Sequence, residues 1–415
     1  MTFQNAGKPI APRGMTSDGS RRKIGLARLF LQELLSGVQY GSLIIETPSG
    51  ERIRSDARQP GPEAILVLHR WRALSLIASQ GDLGFAQGYI DGEWTTPDLT
   101  TLIMFAALNN AGLDRMIQGK WPMRLLRRAV HLMRANTRKG SRRNIAYHYD
   151  LGNDFYELWL DRSMTYSSAL YEQGSMNLEQ AQQAKIDRIA HLLQLSPGHS
   201  VLEIGCGWGA LATRMAEQGG HITALTLSKE QRAYAMALRD RKGLSDRIDI
   251  RLEDYRDVAG TFDRIVSIEM LEAVGEAYWP TYFATLQRCL KPGGRAVLQV
   301  ISISEDRYES YRAGADFIQT HIFPGGMLPS KTLLKSQVEA AGLTLAASEC
   351  FGSCYARTLA EWRIRFHRAW SEIATLGFDD RFRRMWDYYL CYCEAGFRAN
   401  IIDVGLYVIT KPANS

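Results

Sequence analysis

Apolar residues recur at helical spacing over Gly25–Ser36 (Leu26, Leu29, Phe30, Leu34), and alternating runs follow at Ser42–Glu46 and Ala64–Leu68. These are the signatures of one helix and two strands, and they predict a small α+β domain up to about Asn110. From about Asn144 the pattern changes. Val201–Ile204, Ile222–Leu227, Ile248–Leu252, Arg264–Ile268 and Ala296–Ile303 are short apolar runs separated by helix-like spacers, as a parallel α/β sheet requires. Residues 1–22 mix Gly, Pro, Ser and charge without a period and are expected to form a flexible tail. The chain therefore divides into a tail (1–22), an N-terminal domain (23–118), a linker (119–143) and a second domain (144–415), with no internal repeat and no low-complexity tract.

Composition narrows this picture. With 46% hydrophobic and 23% charged residues over 415 positions, the chain carries enough apolar material for ordinary cores and is unlike disordered or fibrous sequences. No run approaches the roughly 20 apolar residues that span a bilayer, and the polar first twenty residues lack a secretory apolar stretch, so a cytoplasmic location is expected. Six cysteines (206, 289, 350, 354, 391, 393) show no paired CxxC spacing and no adjacent His cluster, so neither a disulfide framework nor a zinc site is expected.

The net charge of +6 is concentrated: Lys120 to Arg143 holds nine Lys or Arg and no acid, interleaved with Trp121, Leu125, Leu126, Val130, Leu132 and Met133. Such a run fits a basic amphipathic helix on an anionic membrane and equally a solvated linker. No nucleic-acid motif accompanies it, so no nucleic-acid partner is expected.

The candidate chemistry begins at VLEIGCGWGA, an apolar strand followed by Gly205, Gly207 and Gly209 and then a helical stretch. Glycines at a strand-to-helix turn let backbone approach a ligand closely, and the helix start offers free N–H groups, so a nucleotide-like cofactor is expected. The spacing alone leaves a nicotinamide cofactor and S-adenosylmethionine both open. Two features favour the methyl donor: Glu203 precedes the glycines, and the next strand ends in Thr226-Leu227-Ser228 rather than in the acid a dehydrogenase uses on its ribose. Thr226 and Gln231 are then the candidates for holding the sugar.

Ordered blocks along the second domain resemble the cyclopropane-fatty-acyl-phospholipid synthase family, which includes the mycolic acid cyclopropane synthases. They are YHYDLGNDFYELWLD (Tyr147–Asp161), MTYSSALY (Met164–Tyr171), NLEQAQQAK (Asn177–Lys185), VLEIGCGWG, LTLSKEQ (Leu225–Gln231), FDRIVSIEMLEAVG (Phe262–Gly275), LKPGGR (Leu290–Arg295), FIQTHIFPGGMLPS (Phe317–Ser330) and CEAGFRA (Cys393–Ala399). GYIDGEW (Gly88–Trp94) resembles the longer, phospholipid-acting members.

The resemblance implies an α/β fold: a Rossmann-like class I methyltransferase domain with a smaller N-terminal α+β domain that engages lipid. It implies methyl(ene) transfer from S-adenosylmethionine to the double bond of an unsaturated phospholipid acyl chain. The cofactor would contact Tyr166 and Ser167, the loop Val201, Leu202, Glu203, Ile204, Gly205, Cys206, Gly207, Trp208 and Gly209, then Thr226, Leu227, Ser228 and Gln231, and finally Asp254 and Tyr255. It further implies a homodimer and peripheral attachment at the inner membrane face. Against the lipid substrate, the basic run is expected to dock an anionic leaflet.

Members of this family use a bound bicarbonate as base, held by a Glu, a His, a Tyr and the backbone around a Cys and an Ile. Here the resemblance assigns Glu272, Tyr355 and Ile301, but Ser168 stands at the Cys position and Gln299 at the His position. Ser168 keeps a backbone N–H and adds a hydroxyl, and Gln299 keeps a donor but cannot carry a proton. Either bicarbonate acts with altered partners, or the product is a methyl- or methylene-branched chain, or the protein is a silent lipid-binding relative. Cys393 matches the family's functional cysteine, but a thiol nucleophile needs a partner base and the sequence supplies none apart from neighbouring Glu394, so Cys393 is read as a structural cysteine beside the site. Glu269, three residues before Glu272, is expected to be polar framing. FPGG (Phe323–Gly326) is expected to supply a turn, and the tryptophans at 279, 362, 370 and 386 and the aromatics Phe155 and Tyr156 to pack in cores.

Overall fold

A computed structural model describes residues 28–109 and 151–413. The tail, the basic run and Tyr147–Tyr149 lie outside the described residues.

The first part is helical over 28–36 (α1) and continues as β1 (Tyr40–Glu46), β2 (Arg52–Asp56), β3 (Gln59–Leu68), α2 (Arg72–Gln80), α3 (Asp82–Ile90), β4 (Trp94–Thr95) and α4 (Leu99–Leu108). Its sheet has the order β2-β1-β3-β4, with β1 and β3 parallel. The pattern reading found β1 and β3. It missed β2, whose RIRSD exposes alternate residues and carries no apolar run.

The second part runs α5 (Asn153–Glu157), α6 (Leu178–Leu192), β5 (Ser200–Ile204), α7 (Ala210–Glu217), β6 (His221–Thr226), α8 (Lys229–Arg241), β7 (Ile248–Leu252), β8 (Phe262–Ile268), α9 (Leu271–Val274), α10 (Trp279–Cys289) and β9 (Leu290–Ile303). It closes with α11 (Glu305–Arg312), a π-helical turn (Ile318–Ile322), α12 (Lys331–Ala340), β10 (Thr344–Cys350), α13 (Gly352–Arg368), α14 (Trp370–Thr375), α15 (Asp380–Arg398) and β11 (Ile402–Thr410).

All five strands expected here are present, in a seven-stranded sheet of order β10-β11-β9-β8-β5-β6-β7. Strands β5 to β9 run parallel, and β11 inserts antiparallel beside β9. This is the Rossmann-like α/β sheet that the resemblance implied, accompanied by the smaller α+β unit. Because the chain builds outward from β5 to β7 and then returns through β8 to β9, a crevice opens at the carboxyl ends of β5 and β8, where such sheets bind ligands.

Local chemistry fixes the helices that border this crevice. Asn177 and Gln180 close α6 with a reciprocal capping box, and Ser228 caps α8 by accepting from Gln231 N. The long α15 buries Trp386, Tyr389, Leu390 and Phe397 along one stripe. One apolar cluster runs from Leu31 in α1 through Trp94 and Phe105 to Trp386 and Val404, so the two sheets share a core. Polar contacts pin that seam: the Tyr89 hydroxyl donates to Asp387 at 2.7 Å and Thr100 to Glu394 at 3.1 Å.

Candidate active site

The crevice is a cavity of about 390 Å³ whose floor is the glycine loop. Gly205, Gly207 and Gly209 all take positive φ (83°, 52° and 90°), which L side chains rarely adopt. A Cβ on Gly209 would also fall 2.9 Å from Ala235 Cβ, where α8 packs on the loop. Gly205 and Cys206 both donate their N–H to Leu225 O, which ties the loop to the end of β6.

Around this floor stand Tyr166, Ser167, Glu203, Ile204, Gly205, Cys206, Gly207, Trp208, Thr226, Leu227, Gln231 and Tyr255, all lining the cavity as expected for cofactor contacts. The Thr226 hydroxyl donates to Gln231 Oε1 at 3.0 Å, presenting the two as one polar edge. Five expected contacts do not line it. Val201 and Leu202 are sheet core, and Gly209 serves the helix packing just described. The Ser228 hydroxyl is spent on its cap. Asp254 is locked to Arg256, accepting from its guanidinium at 2.8 and 2.6 Å and from its backbone N–H at 3.0 Å. The neighbouring Glu253 lines the cavity in its place.

Beneath the loop lies a buried pair of opposite groups. Lys185 on α6 donates to Ser167 Oγ at 2.6 Å, and Glu203 has an oxygen, Oε2, with no hydrogen-bond partner among the described residues. Burial pushes the Glu203 carboxyl up to about 8 against the pull of Lys185, and lowers Lys185 to about 8. A buried carboxyl oxygen left over at the cavity wall fits the ammonium of S-adenosylmethionine, whose positive charge would favour the ionised form of Glu203, and the Thr226–Gln231 edge fits its hydroxyls.

Across the cavity the polar groups converge on Glu269, so this residue is more than the polar framing its sequence position predicts. This residue directly follows β8 with φ of +50°, a sparsely populated conformation that carries strain and recurs at functional sites. Its Oε1 accepts from Ser168 N at 2.9 Å and from Gln299 Nε2 at 2.7 Å, and its Oε2 accepts from the Tyr355 hydroxyl at 2.7 Å. Ser168 and Gln299 are fully buried behind it, while Glu269 and Tyr355 face the cavity. The Ser168 hydroxyl turns away to Ala169 O.

Thus three of the groups that the resemblance assigned to bicarbonate are already engaged by a carboxylate of the chain. An added bicarbonate would find those donors spent and a like charge facing it, so the residues present do not fit that ion.

Glu272 sits on α9 and accepts from Ile301 N at 2.5 Å, while its Oε2 has no partner among the described residues. The two carboxyls therefore differ. Burial raises both, and the Glu269 charge helps push Glu272 up to about 8, whereas Ser168, Tyr355, Lys185 and Gln299 all pull Glu269 down. The three donors favour the carboxylate form of Glu269, whereas Glu272, pushed up to about 8, holds its proton more readily, so the two carboxyls are held to different roles by their surroundings. Glu269 Oε2 accepts one bond and keeps a lone pair free for a proton.

The remaining wall is aromatic and aliphatic. Tyr355 stacks on Phe397 with centroids 4.6 Å apart, and the hydroxyls of Tyr166 and Tyr389 share a hydrogen bond of 2.7 Å. Ring faces of this kind stabilise a cation and exclude water. Phe323, Pro324 and Gly326 line the cavity too, so FPGG does more than turn the chain. Cys393 also faces the cavity, and burial pushes its thiol up, which keeps it neutral. The Glu394 carboxylate bonds Thr100 and Arg398, so it is no base for that thiol. Phe155, Tyr156, Trp279, Trp362 and Trp386 are fully buried packing groups, and Trp370 is half-buried under Arg383.

Comparison with known proteins agrees with this geometry. A family model described as mycolic acid cyclopropane synthetase matches residues 136–406. The tuberculostearic acid methyltransferase UfaA1 of Mycobacterium tuberculosis is 38% identical over 377 residues, covering 86% of this chain and 84% of that protein. The cyclopropane-fatty-acyl-phospholipid synthase of Escherichia coli K12 is 37% identical over 336 residues, covering 81% and 85%. Among solved structures, the mycolic acid cyclopropane synthase CmaA1 with SAH and CTAB superposes with a TM-score of 0.61 at 31% identity, covering 65% of this chain and 98% of that one. The chain is therefore a member of the mycolic acid cyclopropane synthetase family of S-adenosylmethionine-dependent lipid methyltransferases.

Proposed function

We propose that this protein methylates an olefinic carbon of an unsaturated acyl chain carried on a phospholipid, and that Glu269 takes the proton the product must lose. The observation that carries this reading is the Glu269 carboxylate, half-buried, held by three donors and lining the cavity. S-adenosylmethionine supplies an electrophilic methyl group. An alkene is a poor nucleophile, and gaining CH3+ leaves a carbocation on the neighbouring carbon. Tyr166, Tyr355, Tyr389 and Phe397 surround that charge with ring faces and keep water away. A hydrogen then shifts with its electron pair from the methylated carbon to its neighbour, moving the charge onto the branched carbon. Glu269 removes a proton from the new methyl group, and the freed pair forms a C=CH2 bond. The product is a methylene-branched acyl chain; a saturated branch would need a hydride donor outside this reading.

The departure from the bicarbonate set at Ser168 and Gln299 supports branching, as does a 38% identical relative named a methyltransferase rather than a ring synthase. Ring closure is the second reading, favoured by the family description and the Escherichia coli relative. There the same proton leaves before any hydrogen shift, and the freed pair closes onto the cation. Attachment to an anionic leaflet belongs to the same proposal and is supported by the composition of the Lys120–Arg143 run.

Purified protein incubated with 13C-methyl S-adenosylmethionine and monounsaturated phospholipid vesicles tests both readings. The two products have the same mass, so NMR decides: an olefinic CH2 signal is expected, a high-field cyclopropyl signal would replace branching by ring closure, and no label in lipid would sink both.

A further inference from the structure

The cavity wall includes two residues from outside the span matched by the family model. Ile103 and Ala107 on α4 lie one helical turn apart on one face, and both line the cavity together with Ile303 and Ile402, which pair across β9 and β11. Glu269 meets β9 at Gln299, four residues before Ile303, about 13 Å away along an extended strand. This part of the wall is aliphatic and stands well beyond the reacting carboxylate.

It is also held firmly. Asp98 caps the start of α4, and the Asn109 side chain at its end accepts from Gln39 N and Tyr40 N and donates to Tyr40 O. Thr100 and Ala107 tie the helix to the catalytic sheet unit, through Glu394 and through a 3.4 Å bond from Arg307 to Ala107 O. A wall fixed at both ends can discriminate length, because an acyl chain that overruns it has nowhere to go.

We propose that α4 is the end wall of the acyl site, and that Ile103 and Ala107 set how long a segment beyond the double bond this enzyme accepts. The proposal rests on the lipid-methylation reading above and deepens it: the N-terminal unit is part of the specificity machinery.

The test uses the full chain, labelled S-adenosylmethionine, and phosphatidylglycerol vesicles carrying either cis-Δ9 hexadecenoyl or cis-Δ9 octadecenoyl chains. These share the carboxyl side and differ only in methylenes beyond the double bond. Ala107→Leu should lower the octadecenoyl-to-hexadecenoyl rate ratio about tenfold, in line with methylene discrimination in apolar pockets, with donor affinity retained. Ile103→Ala should raise that ratio, and it decides the matter alone if Ala107→Leu does not fold. Ala106→Leu adds the same volume on the same helix outside the cavity lining and should leave the ratio unchanged. An unchanged ratio in both cavity variants, or an equal loss on both lipids in folded protein, overturns the proposal. Wild-type protein that labels neither lipid overturns the methylation reading, and this one with it; wild type that labels both keeps that reading whatever the variants do.

Discussion

On the glycine-loop flank the cavity is built from backbone and short polar groups. Gly205 to Trp208, the Thr226–Gln231 pair and the Glu203 carboxyl line it with backbone and polar atoms suited to a polar ligand. On the β8 and β9 flank it is built largely from rings and aliphatic chains, and the triply bonded Glu269 carboxyl faces inward among them. The first flank can bind a charged donor without needing to exclude water. The second can shelter a carbocation only if it is dry, and in a dry wall a lone carboxylate persists only when its donors are built in. The contrast separates binding from chemistry: changes on the glycine side should move affinity, and changes around Glu269 should move turnover.

The sharpest way to break that division is Glu269→Gln. Loss of the proton acceptor should cut turnover about 10²- to 10⁴-fold while a calorimetric titration shows donor affinity nearly intact. Tyr355→Phe should cost less, about tenfold, because one of three donors is lost. Losing that donor raises the Glu269 pKa further. Activity needs the ionised form and so falls as pH drops through this pKa; the acid limb of the Tyr355→Phe pH–rate profile should therefore lie at higher pH than in the wild type.

Glu272→Gln sharpens the contrast through stability. The folded-state pKa of Glu272 lies at about 8, above the ordinary 4.5, so the folded protein holds this proton more tightly than the unfolded chain. Its contribution to stability is full below the ordinary value and is lost as pH rises toward 8. Calorimetric melting should accordingly show a higher Tm for the variant at pH 8, by about 2–4 °C per kcal/mol recovered, and little gain at pH 5. The smallest effect is expected from Cys393→Ala, since a neutral thiol takes no part in the chemistry. Turnover should stay close to wild type, and alkylation of the native protein should be slow.

The two flanks also differ in how far they could be read from sequence. The glycine turn, Glu203 and the end of β6 are local features, and a strand-to-helix loop announces itself through spacing. Glu269 acquires its surroundings from Ser168, Gln299 and Tyr355, which are 101, 30 and 86 residues away and share no spacing rule. One local signal was available: an acid placed directly after a buried parallel strand, at the end where such sheets bind ligands. The same logic covers the fold. Buried parallel strands are continuous apolar runs and were legible, whereas the exposed β2 and β10 and the insertion of β11 beside β9 depend on distant partners. The role of α4 in the cavity was equally out of reach, because Ile103 and Ala107 look like any helix packing face.

In the proposed reaction the chain carries its own proton acceptor, Glu269. This role is tested most directly by the rate of methyl transfer in bicarbonate-free buffer, for the wild type and for Glu269→Ala. The wild-type rate should be the same with and without added bicarbonate, and the variant, which frees Ser168 N, Gln299 and Tyr355, should be inactive until bicarbonate or acetate is supplied. A wild-type rate that collapses when bicarbonate is removed would contradict the account and return the role of base to the ion.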